Sequence, residues 1–206
     1  MHLSRREIDE MDHLYKINLM NSISGYKSAN LVATKSKDAI TNVAVFSSVV
    51  HYGSSPAILG FVLRPTTVVR NTYDNIKKTG FYTINAISED MIADAHLTSA
   101  KYPSEISEFD KTNLLPEYKN QFHAPFVSQS PLQIGMKFLE EYHIKANGTI
   151  LILGEVTDVY FEKNMLNKDG FLNLSKEKIT TINGLDGYAV PNLKTRVEYQ
   201  RPKKEN

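Results

Sequence analysis

The spacing of apolar positions changes along this chain, from helical intervals near the N-terminus to short apolar runs further on. Between Glu7 and Met20 apolar residues recur at near-helical intervals, which predicts an amphipathic helix inside an N-terminal segment of residues 1–22. Gly25 ends that segment. The following runs, rich in β-branched and aromatic residues, predict strands at Leu31–Thr34, Val43–Val50, Ala57–Leu63 and Phe81–Ile87.

Two shorter segments have the start and stop signals of helices. A helix is predicted over Asn71–Thr79, because Asn71 or Thr72 can cap its first turn and Gly80 can close its last. A second helix is predicted over Ser88–Leu97, where Ser88 acts as N-cap and two acidic residues follow it.

The second half of the chain begins with residues 101–131, whose Pro, Ser, Asn and Glu content predicts loops and short helices. Strands are then predicted at Leu132–Phe138, Tyr142–Ala146 and Thr149–Tyr160, with a hairpin turn at Asn147-Gly148. Two groups of strands around a helical excursion argue against a doubly wound nucleotide fold, in which strands and helices alternate. The pattern favours one mainly β domain over residues 1–206, a closed or partly closed antiparallel barrel with peripheral α-helices.

Composition narrows the classes of function. Lys and Arg number 24 against 23 Asp and Glu, so no overall field selects nucleic acid or an anionic membrane. The absence of cysteine excludes disulfides, thiolate catalysis and cysteine-ligated metal sites, and the histidine spacings predict no metal centre. Any redox chemistry therefore needs a bound cofactor. Early acidic residues and the lack of an apolar run of about eighteen residues predict a cytoplasmic protein without a membrane span.

The clearest chemical signal lies in the residues from Arg64 to Thr72. Two guanidinium groups, of Arg64 and Arg70, stand close in sequence to Asn71 and Thr72 at a predicted helix start, where free backbone N–H groups can hold a phosphate. One alternative stays open: Thr72 merely caps the helix, and the arginines pair with Asp74 or other acids. The basic tail over 194–206 could also touch a phosphate, although a solvated terminus is the simpler interpretation.

A second signal precedes the first by about two strands of chain. The stretch from Asn42 to Val49 offers amide and hydroxyl groups beside small side chains, which suits a flat ring with carbonyl and imide edges. A flavin nucleotide combines such a ring with a phosphate. The alternative is a barrel strand whose serines, Ser47 and Ser48, form hydrogen bonds across the ladder.

These stretches also resemble, in order and spacing, the flavin reductase-like, FMN-binding split-barrel family. The resemblance extends from about Gly25 to Tyr188. The blocks that carry it in the first half are Asn42–Ser48, Ala57–Leu63, Arg64-Pro65, Asn71–Ile76 and Gly80–Asn85. Those that resemble one subgroup in the second half are His96–Tyr102, Ser107–Phe109, Ala124–Val127 and Asn147–Thr149.

The resemblance implies an antiparallel, Greek-key-like split barrel that binds FMN in preference to FAD and forms a homodimer. It implies that the stretch holding Asn42, Ala44, Ser47, Ser48 and Val49 lies along the isoalloxazine ring. It further suggests that Thr98, Ser99 or Lys101 contacts the phosphate or the ring edge, either within one chain or across a dimer interface, and that Tyr188 approaches the outer face of the flavin. A solvated helix end with an ordinary surface lysine is the alternative for the cluster at 98–101.

The electron donor stays open at this level. The chain has no glycine-rich dinucleotide fingerprint, and it carries Asn147-Gly148-Thr149 where many members of the family have Gly-Asp-His near the nicotinamide. This departure from the family pattern bears on direct use of NAD(P)H. The resemblance as a whole implies an NAD(P)H-dependent flavin reductase in which no side chain forms a covalent bond. The alternatives are a non-enzymatic flavin carrier that receives electrons from a redox partner protein, and an oxidoreductase that acts on an organic substrate.

Overall fold

The computed structural model describes residues 1–202, so Lys203 and Lys204 of the predicted basic tail lie outside the described residues. Four α-helices are present, α1 (Arg5–Asp9), α2 (His13–Ser22), α3 (Asn71–Thr79) and α4 (Ile92–Leu97). Short 3₁₀ turns occur at Glu89–Met91, Glu108–Lys111, Lys163–Met165 and Leu174–Glu177. The strands are β1 (Lys27–Ser28), β2 (Asn30–Lys35), β3 (Thr41–Phe46), β4 (Val50–Ser54), β5 (Ala57–Leu63), β6 (Phe81–Ala86), β7 (Pro116–Glu117), β8 (Phe126–Val127), β9 (Leu132–Ile144), β10 (Thr149–Phe161), β11 (Thr181–Asn183) and β12 (Gly187–Ala189).

One antiparallel sheet of seven strands dominates the molecule, in the order β3-β2-β6-β9-β10-β5-β4. Its edge strands β3 and β4 do not pair with each other within residues 1–202, so the barrel is open. A small sheet of β1, β11 and β12 and a pair formed by β7 and β8 lie beside it. The mainly β, antiparallel architecture with peripheral helices is therefore confirmed, and the closed form of the barrel is not.

Two buried clusters lie on opposite faces of this sheet, because neighbouring residues of a strand point to opposite sides. Val32, Phe61 and Ile76 belong to one cluster, so α3 covers that face. The other cluster contains Leu31 and Val43 together with residues from the excursion at 101–131. The two faces of β3 therefore have different neighbours, α3 on one side and the excursion and α4 on the other.

Several predicted boundaries were wrong. The run Val43–Val50 is not one strand, since β3 ends at Phe46 and the exposed strand β4 begins at Val50. The two strands predicted at 132–138 and 142–146 form the single strand β9, in which a register shift opposite Leu153 and Gly154 leaves Leu139 unpaired. A β-bulge of this kind accommodates one extra residue, which is why the alternation of apolar and polar residues is interrupted within a single strand.

The helices agree better with the sequence. The predicted span of α3 is confirmed, and it ends at Gly80 in the left-handed region, with φ of +79°. The N-cap position is Arg70, and no side chain caps it, so the prediction that Asn71 or Thr72 caps this helix was wrong. The extended backbone of Arg70 places both of those residues already inside the first turn.

The N-terminal segment is two helices and not one. Asp12 interrupts it, because its carboxylate accepts hydrogen bonds from the backbone N–H groups of Leu14 and Tyr15 and so starts α2. Neither α1 nor α2 contains a fully buried residue. The predicted helix at 88–97 is likewise divided, into a 3₁₀ turn at Glu89–Met91 followed by α4.

Candidate functional site

The two arginines near α3 have no acidic partner among the described residues, 1–202. Arg64 follows β5 and is exposed, and Arg70 directly precedes α3. Within residues 1–202 neither guanidinium forms an ion pair at or below 4.0 Å, so the alternative pairing with Asp74 does not occur. The one hydrogen bond of either guanidinium in that part of the chain is long, 3.4 Å from Arg70 Nε to the carbonyl oxygen of Pro65. The two positive groups therefore stand available for an anion.

The N-terminus of α3 adds backbone donors to this positive region. The helix is nine residues long, and its first N–H groups receive no side-chain cap. Such groups together with the helix dipole favour an anion at this end. Asp74 in the first turn offsets part of that positive potential, which leaves the arginines as the main source of charge.

A set of four buried polar side chains fixes α3 on the sheet. Asn42 Nδ2 donates to Thr72 Oγ1 at 3.0 Å, and Asn75 Nδ2 donates to Thr34 Oγ1 at 3.0 Å. Thr34 and Asn42 are paired across β2 and β3, while Thr72 and Asn75 are three residues apart on the helix. The two hydrogen bonds thus run side by side and set the position of the first turn of α3.

Asn42 consequently lies beside the start of α3, next to Thr72, which is one of the residues predicted to bind the phosphate. Thr34 and Asn75 were missed as supporting residues by sequence reasoning. The available signal was their polarity in otherwise apolar surroundings, since a buried polar side chain requires a partner.

The other residues predicted to meet the ring lie in β3 and in the connection from β3 to β4. Ala44 lies in β3, and Ser47, Ser48 and Val49 form the connection, all of them partly buried. Ser48 Oγ accepts from the Val62 N–H at 3.0 Å and donates to the Val62 carbonyl at 3.2 Å. The alternative left open for the serines, hydrogen bonding to a neighbouring strand, is therefore observed for Ser48.

The outer edge of β3 is partly covered by the excursion. The Val43 N–H points away from β2 and donates to Glu108 Oε2 at 3.0 Å. Because backbone groups alternate along a strand, the N–H of Val45 points to the same outer edge. Burial raises the pKa of the Glu108 carboxyl, while the hydrogen bond from Val43 lowers it to a smaller extent. Sequence reasoning used Glu108 only as part of a family block and assigned it no role.

The predicted cluster at 98–101 is divided by the fold. Thr98 is buried and its hydroxyl donates to the Ala95 carbonyl at 2.7 Å, so it closes α4. Ser99 and Lys101 are exposed. Tyr188 Oη lies 3.3 Å from His96 Nδ1, with the two rings edge to face at 5.8 Å.

Tyr188 also lies near β3. It packs, as Val45 does, against the buried cluster that contains Val43 and Ala95. Burial, and then the charge of Asp186, raise the pKa of its hydroxyl, which keeps it protonated in the neutral range. The fold therefore brings Tyr188, which follows Asn42 by 146 residues in the sequence, to the face of β3 opposite α3.

Two classes of site are not found in the described part of the chain. Residues 1–202 hold no group of three or more His, Cys, Asp or Glu side chains that could ligate a metal ion. Over the same residues, no helix is long and apolar enough to cross a membrane.

Comparison with known proteins identifies the class to which this fold and site belong. The family model of the flavin reductase like domain matches residues 25–182, so the chain belongs to the flavin reductase-like family. A split-barrel-domain protein from Shewanella frigidimarina NCIMB 400, described as a candidate flavin reductase, has 40% sequence identity and a TM-score of 0.94, over 97% of this chain and 100% of that one. The fold is therefore a split barrel.

More distant structures share the fold at low identity. Nitrilotriacetate monooxygenase component B from Bacillus cereus is 15% identical with a TM-score of 0.83, over 96% of this chain and 98% of that one. The 2-nitrobenzoate 2-nitroreductase of Pseudomonas fluorescens is 15% identical with a TM-score of 0.81, and each chain is covered completely. At this level of identity the likeness concerns the fold alone.

Proposed function

We propose that the protein is an FMN-binding flavoprotein oxidoreductase, and specifically an NAD(P)H-dependent flavin reductase. The observation that carries the proposal is a pair of arginines, Arg64 and Arg70, that have no acidic partner among residues 1–202 and lie beside the uncapped start of α3. Unpaired guanidinium groups next to free helical N–H groups have the charge and the donors that a phosphate dianion requires. Membership of the flavin reductase-like family supports a flavin as the molecule that carries this phosphate.

In this proposal the phosphate lies at the start of α3. Arg64 and Arg70 neutralise its charge, and the backbone N–H groups of Asn71 and Thr72 donate to its oxygens. Thr72 Oγ1 already accepts from Asn42, which leaves its hydroxyl proton free to be donated to the ligand. A terminal phosphate dianion fits these donors better than the bridging diphosphate of FAD, and we therefore propose FMN.

The ring lies, in the same proposal, along the end of β3 and the connection that follows it. Ala44 provides a side chain small enough for close approach, and the backbone around Ser47, Ser48 and Val49 offers N–H and carbonyl groups. Ser48 keeps this connection in place through its two hydrogen bonds to Val62. Tyr188 approaches from the other face of β3 and limits what can reach the flavin.

Bound FMN supplies the hydride and electron chemistry of the reaction. The side chains of this protein hold the ring, exclude water from one side of it and leave the other side open to the donor, without forming a covalent bond. We accordingly assign no catalytic side chain, and we propose Ser99 and Lys101 only as contacts at the exposed margin of the site.

One observation favours a second candidate, a flavin carrier that receives electrons from a redox partner protein. At the hairpin, Thr149 donates to Asn147 Oδ1 through its N–H at 3.1 Å and its hydroxyl at 2.7 Å. The polar groups at this position therefore satisfy one another, and no titratable side chain stands where many relatives have histidine. A reduced nicotinamide would have to be held by other groups.

An anaerobic spectrum distinguishes these two candidates. The protein is loaded with FMN, and the flavin absorption is followed after addition of NADH, NADPH or dithionite. Rapid bleaching by either nicotinamide supports the reductase. Bleaching by dithionite alone supports the carrier, and no saturable FMN binding up to about 100 μM would contradict both.

We also propose that the protein is a homodimer. Val50 and Tyr52 of β4 and Tyr142 of β9 are each about half exposed or more, at 54%, 51% and 51%. Val50 pairs with Gly60, and an added Cβ at Gly60 would meet the Tyr52 ring and Leu153. Tyr142 pairs with Leu151, two residues from Leu153, so all three exposed side chains lie on one face of the sheet. An apolar face of this kind is typical of an interface between subunits.

A further inference from the structure

Glu108 joins the excursion at 101–131 to the edge strand of the proposed flavin site. We propose that Glu108 is a positioning residue, whose carboxylate holds β3 at the place where the flavin ring binds. This inference rests on the proposed function, since the ring site is part of that proposal. Nothing in the reduction of a flavin requires an acid at this position, so a separate reason for the residue is needed.

Glu108 lies where a carboxylate without hydrogen-bond partners would destabilise the fold. Glu108 is 7% exposed, and burial of a carboxylate is unfavourable unless hydrogen bonds compensate for lost water. Its Oε2 accepts the N–H of Val43 at 3.0 Å. The neighbouring hydroxyls of Ser107 and Thr41 are 2.8 Å apart, which gives the same turn a second attachment to β3.

The turn that carries Glu108 is itself firmly anchored. Phe109 and Leu114 belong to the buried cluster that also contains Val43, with exposures of 6% and 1%. Glu108 therefore reaches β3 from a rigid support and not from a mobile loop. A hydrogen bond donated to a fixed carboxylate constrains the strand more than one donated to water, because the strand and the acceptor cannot move independently.

The free edge of β3 presents backbone N–H groups at alternate residues. β3 is an edge strand, and the N–H groups of Val43 and Val45 point to its free side. Glu108 occupies the first of these positions, and the next, about 7 Å further along by strand geometry, leads towards Ser47 and Ser48. The Glu108 carboxylate is thus the last group of the excursion that covers the edge of β3. It fixes the position of the strand just before the residues proposed to meet the ring.

The direct test measures the Val43 amide without any flavin. Glu108→Ala should increase the exchange rate of the Val43 amide hydrogen, followed by NMR, by about tenfold or more, the effect expected from loss of one charged hydrogen bond. Glu108→Gln keeps an acceptor at the same place and should stay within about threefold of wild type. Unchanged exchange in Glu108→Ala would overturn the proposal.

The functional test uses the full chain and flavin binding. Glu108→Ala should weaken FMN and riboflavin equally, by about tenfold, and should shift the absorption band of the bound flavin, because it disturbs the ring strand and not the phosphate group. Glu108→Gln should restore both affinity and spectrum. Thr41→Val loosens the same turn through its contact with Ser107 and leaves the Val43 N–H bonded to Glu108, so it should give a smaller loss in the same direction even where Glu108→Ala folds poorly.

The matched control is Glu105→Ala. Glu105 lies in the same segment but is exposed, and its carboxylate accepts only from Ser104 Oγ at 3.2 Å among the residues 1–202. It should bind both flavins as wild type does. Equal losses in Glu105→Ala and Glu108→Ala, or wild-type binding and spectrum in Glu108→Ala, would refute a positioning role. Failure of the wild-type protein to bind flavin would instead refute the proposed function and leave the exchange result intact.

Discussion

Asn42 and Thr72 form a buried hydrogen bond between the proposed ring strand and the proposed phosphate helix, 3.0 Å from Nδ2 to Oγ1. The residues are 6% and 5% exposed, so water competes little for the hydrogen bond between them. The bond couples the two parts of the candidate site, because movement of β3 moves the first turn of α3. It also fixes the direction of the Thr72 hydroxyl, whose oxygen accepts from Asn42.

This coupling can be measured with a double-mutant cycle. Asn42→Ala and Thr72→Val should each lower the free energy of unfolding by about 1 to 3 kcal/mol, because each leaves a buried polar partner unsatisfied. The double variant should lose less than the sum, with a coupling energy of about 1 kcal/mol. Urea denaturation of the four proteins gives these values. Strict additivity would show that the bond contributes nothing to stability.

The role of the arginines is tested by comparing FMN with riboflavin, which has no phosphate. Arg70→Ala or Arg64→Ala should cost about 1.5 to 3 kcal/mol of FMN affinity, the range for a charged hydrogen bond, and should leave riboflavin affinity nearly unchanged. Fluorescence quenching measures both. Lys78→Ala, an exposed lysine near the other end of α3, is the matched control and should change neither. Equal losses of the two ligands in an arginine variant would make that arginine structural.

A buried hydroxyl without a partner gives a prediction about stability. Tyr82 is fully buried, its Oη has no hydrogen-bond partner within residues 1–202, and burial raises the pKa of the phenol strongly. Tyr82→Phe should therefore leave the free energy of unfolding unchanged or raise it by up to about 1 kcal/mol. Tyr73→Phe is the control, since that hydroxyl donates to Glu141 at 3.1 Å and its removal should destabilise the protein. Thermal and urea unfolding distinguish the two variants.

Gly154 provides the space for the Tyr82 hydroxyl, and a Cβ at that position would collide with it. Gly154→Ala should accordingly be strongly destabilising in the wild-type background and less so together with Tyr82→Phe, since removal of the oxygen relieves the shortest contact and leaves only the ring carbon Cζ, 3.0 Å from the added Cβ. Equal destabilisation in both backgrounds would mean that the clash with the Lys137 carbonyl, which lies 3.0 Å from the added Cβ, decides the cost.

The buried carboxyl of Glu108 predicts a pH dependence. Burial raises its folded-state pKa above the ordinary value of 4.5, so the folded protein holds this proton more firmly than the unfolded chain. Its contribution to stability is then fully present below that value and declines as pH rises through the folded-state pKa. Relative to Glu108→Gln, wild type should therefore lose stability between acidic and neutral pH. Urea denaturation of both proteins as a function of pH tests this. An increase, with rising pH, in the free energy of unfolding of wild type relative to Glu108→Gln would contradict it.

The dimer is tested by light scattering at micromolar concentration. Tyr142→Glu should dissociate the proposed dimer, because it places a charge on the apolar face that also holds Val50 and Tyr52. Lys145→Glu at the exposed end of β9 is the control and should leave the mass unchanged. Deletion of residues 1–20 should weaken association more than folding, since neither α1 nor α2 buries a residue fully. A wild-type monomer that binds flavin would refute the dimer.

Elements with strong local signals could be predicted from the amino-acid sequence alone. The span of α3 follows from its helical spacing and from Gly80, which can adopt the left-handed conformation without strain. The strand Ala57–Leu63 follows from a short apolar run between turn residues, and the turn at Asn147-Gly148 from the preference of glycine for positive φ, here +73°. The order of family blocks supplied the fold, which spacing alone would have left among small barrels.

Tertiary structure decided what each polar side chain does. The sequence grouped Asn42 with the ring residues, whereas packing of α3 against β2 and β3 turns it towards Thr72. It gave no role to Glu108, because only the fold brings residue 108 to the N–H of Val43, 65 positions away. Pairing with neighbouring strands also decided that β3 ends at Phe46 and that residues 132–144 form the single strand β9. Hydrogen bonds between distant segments depend on the whole fold, and a local pattern carries no information about which partner a side chain will meet.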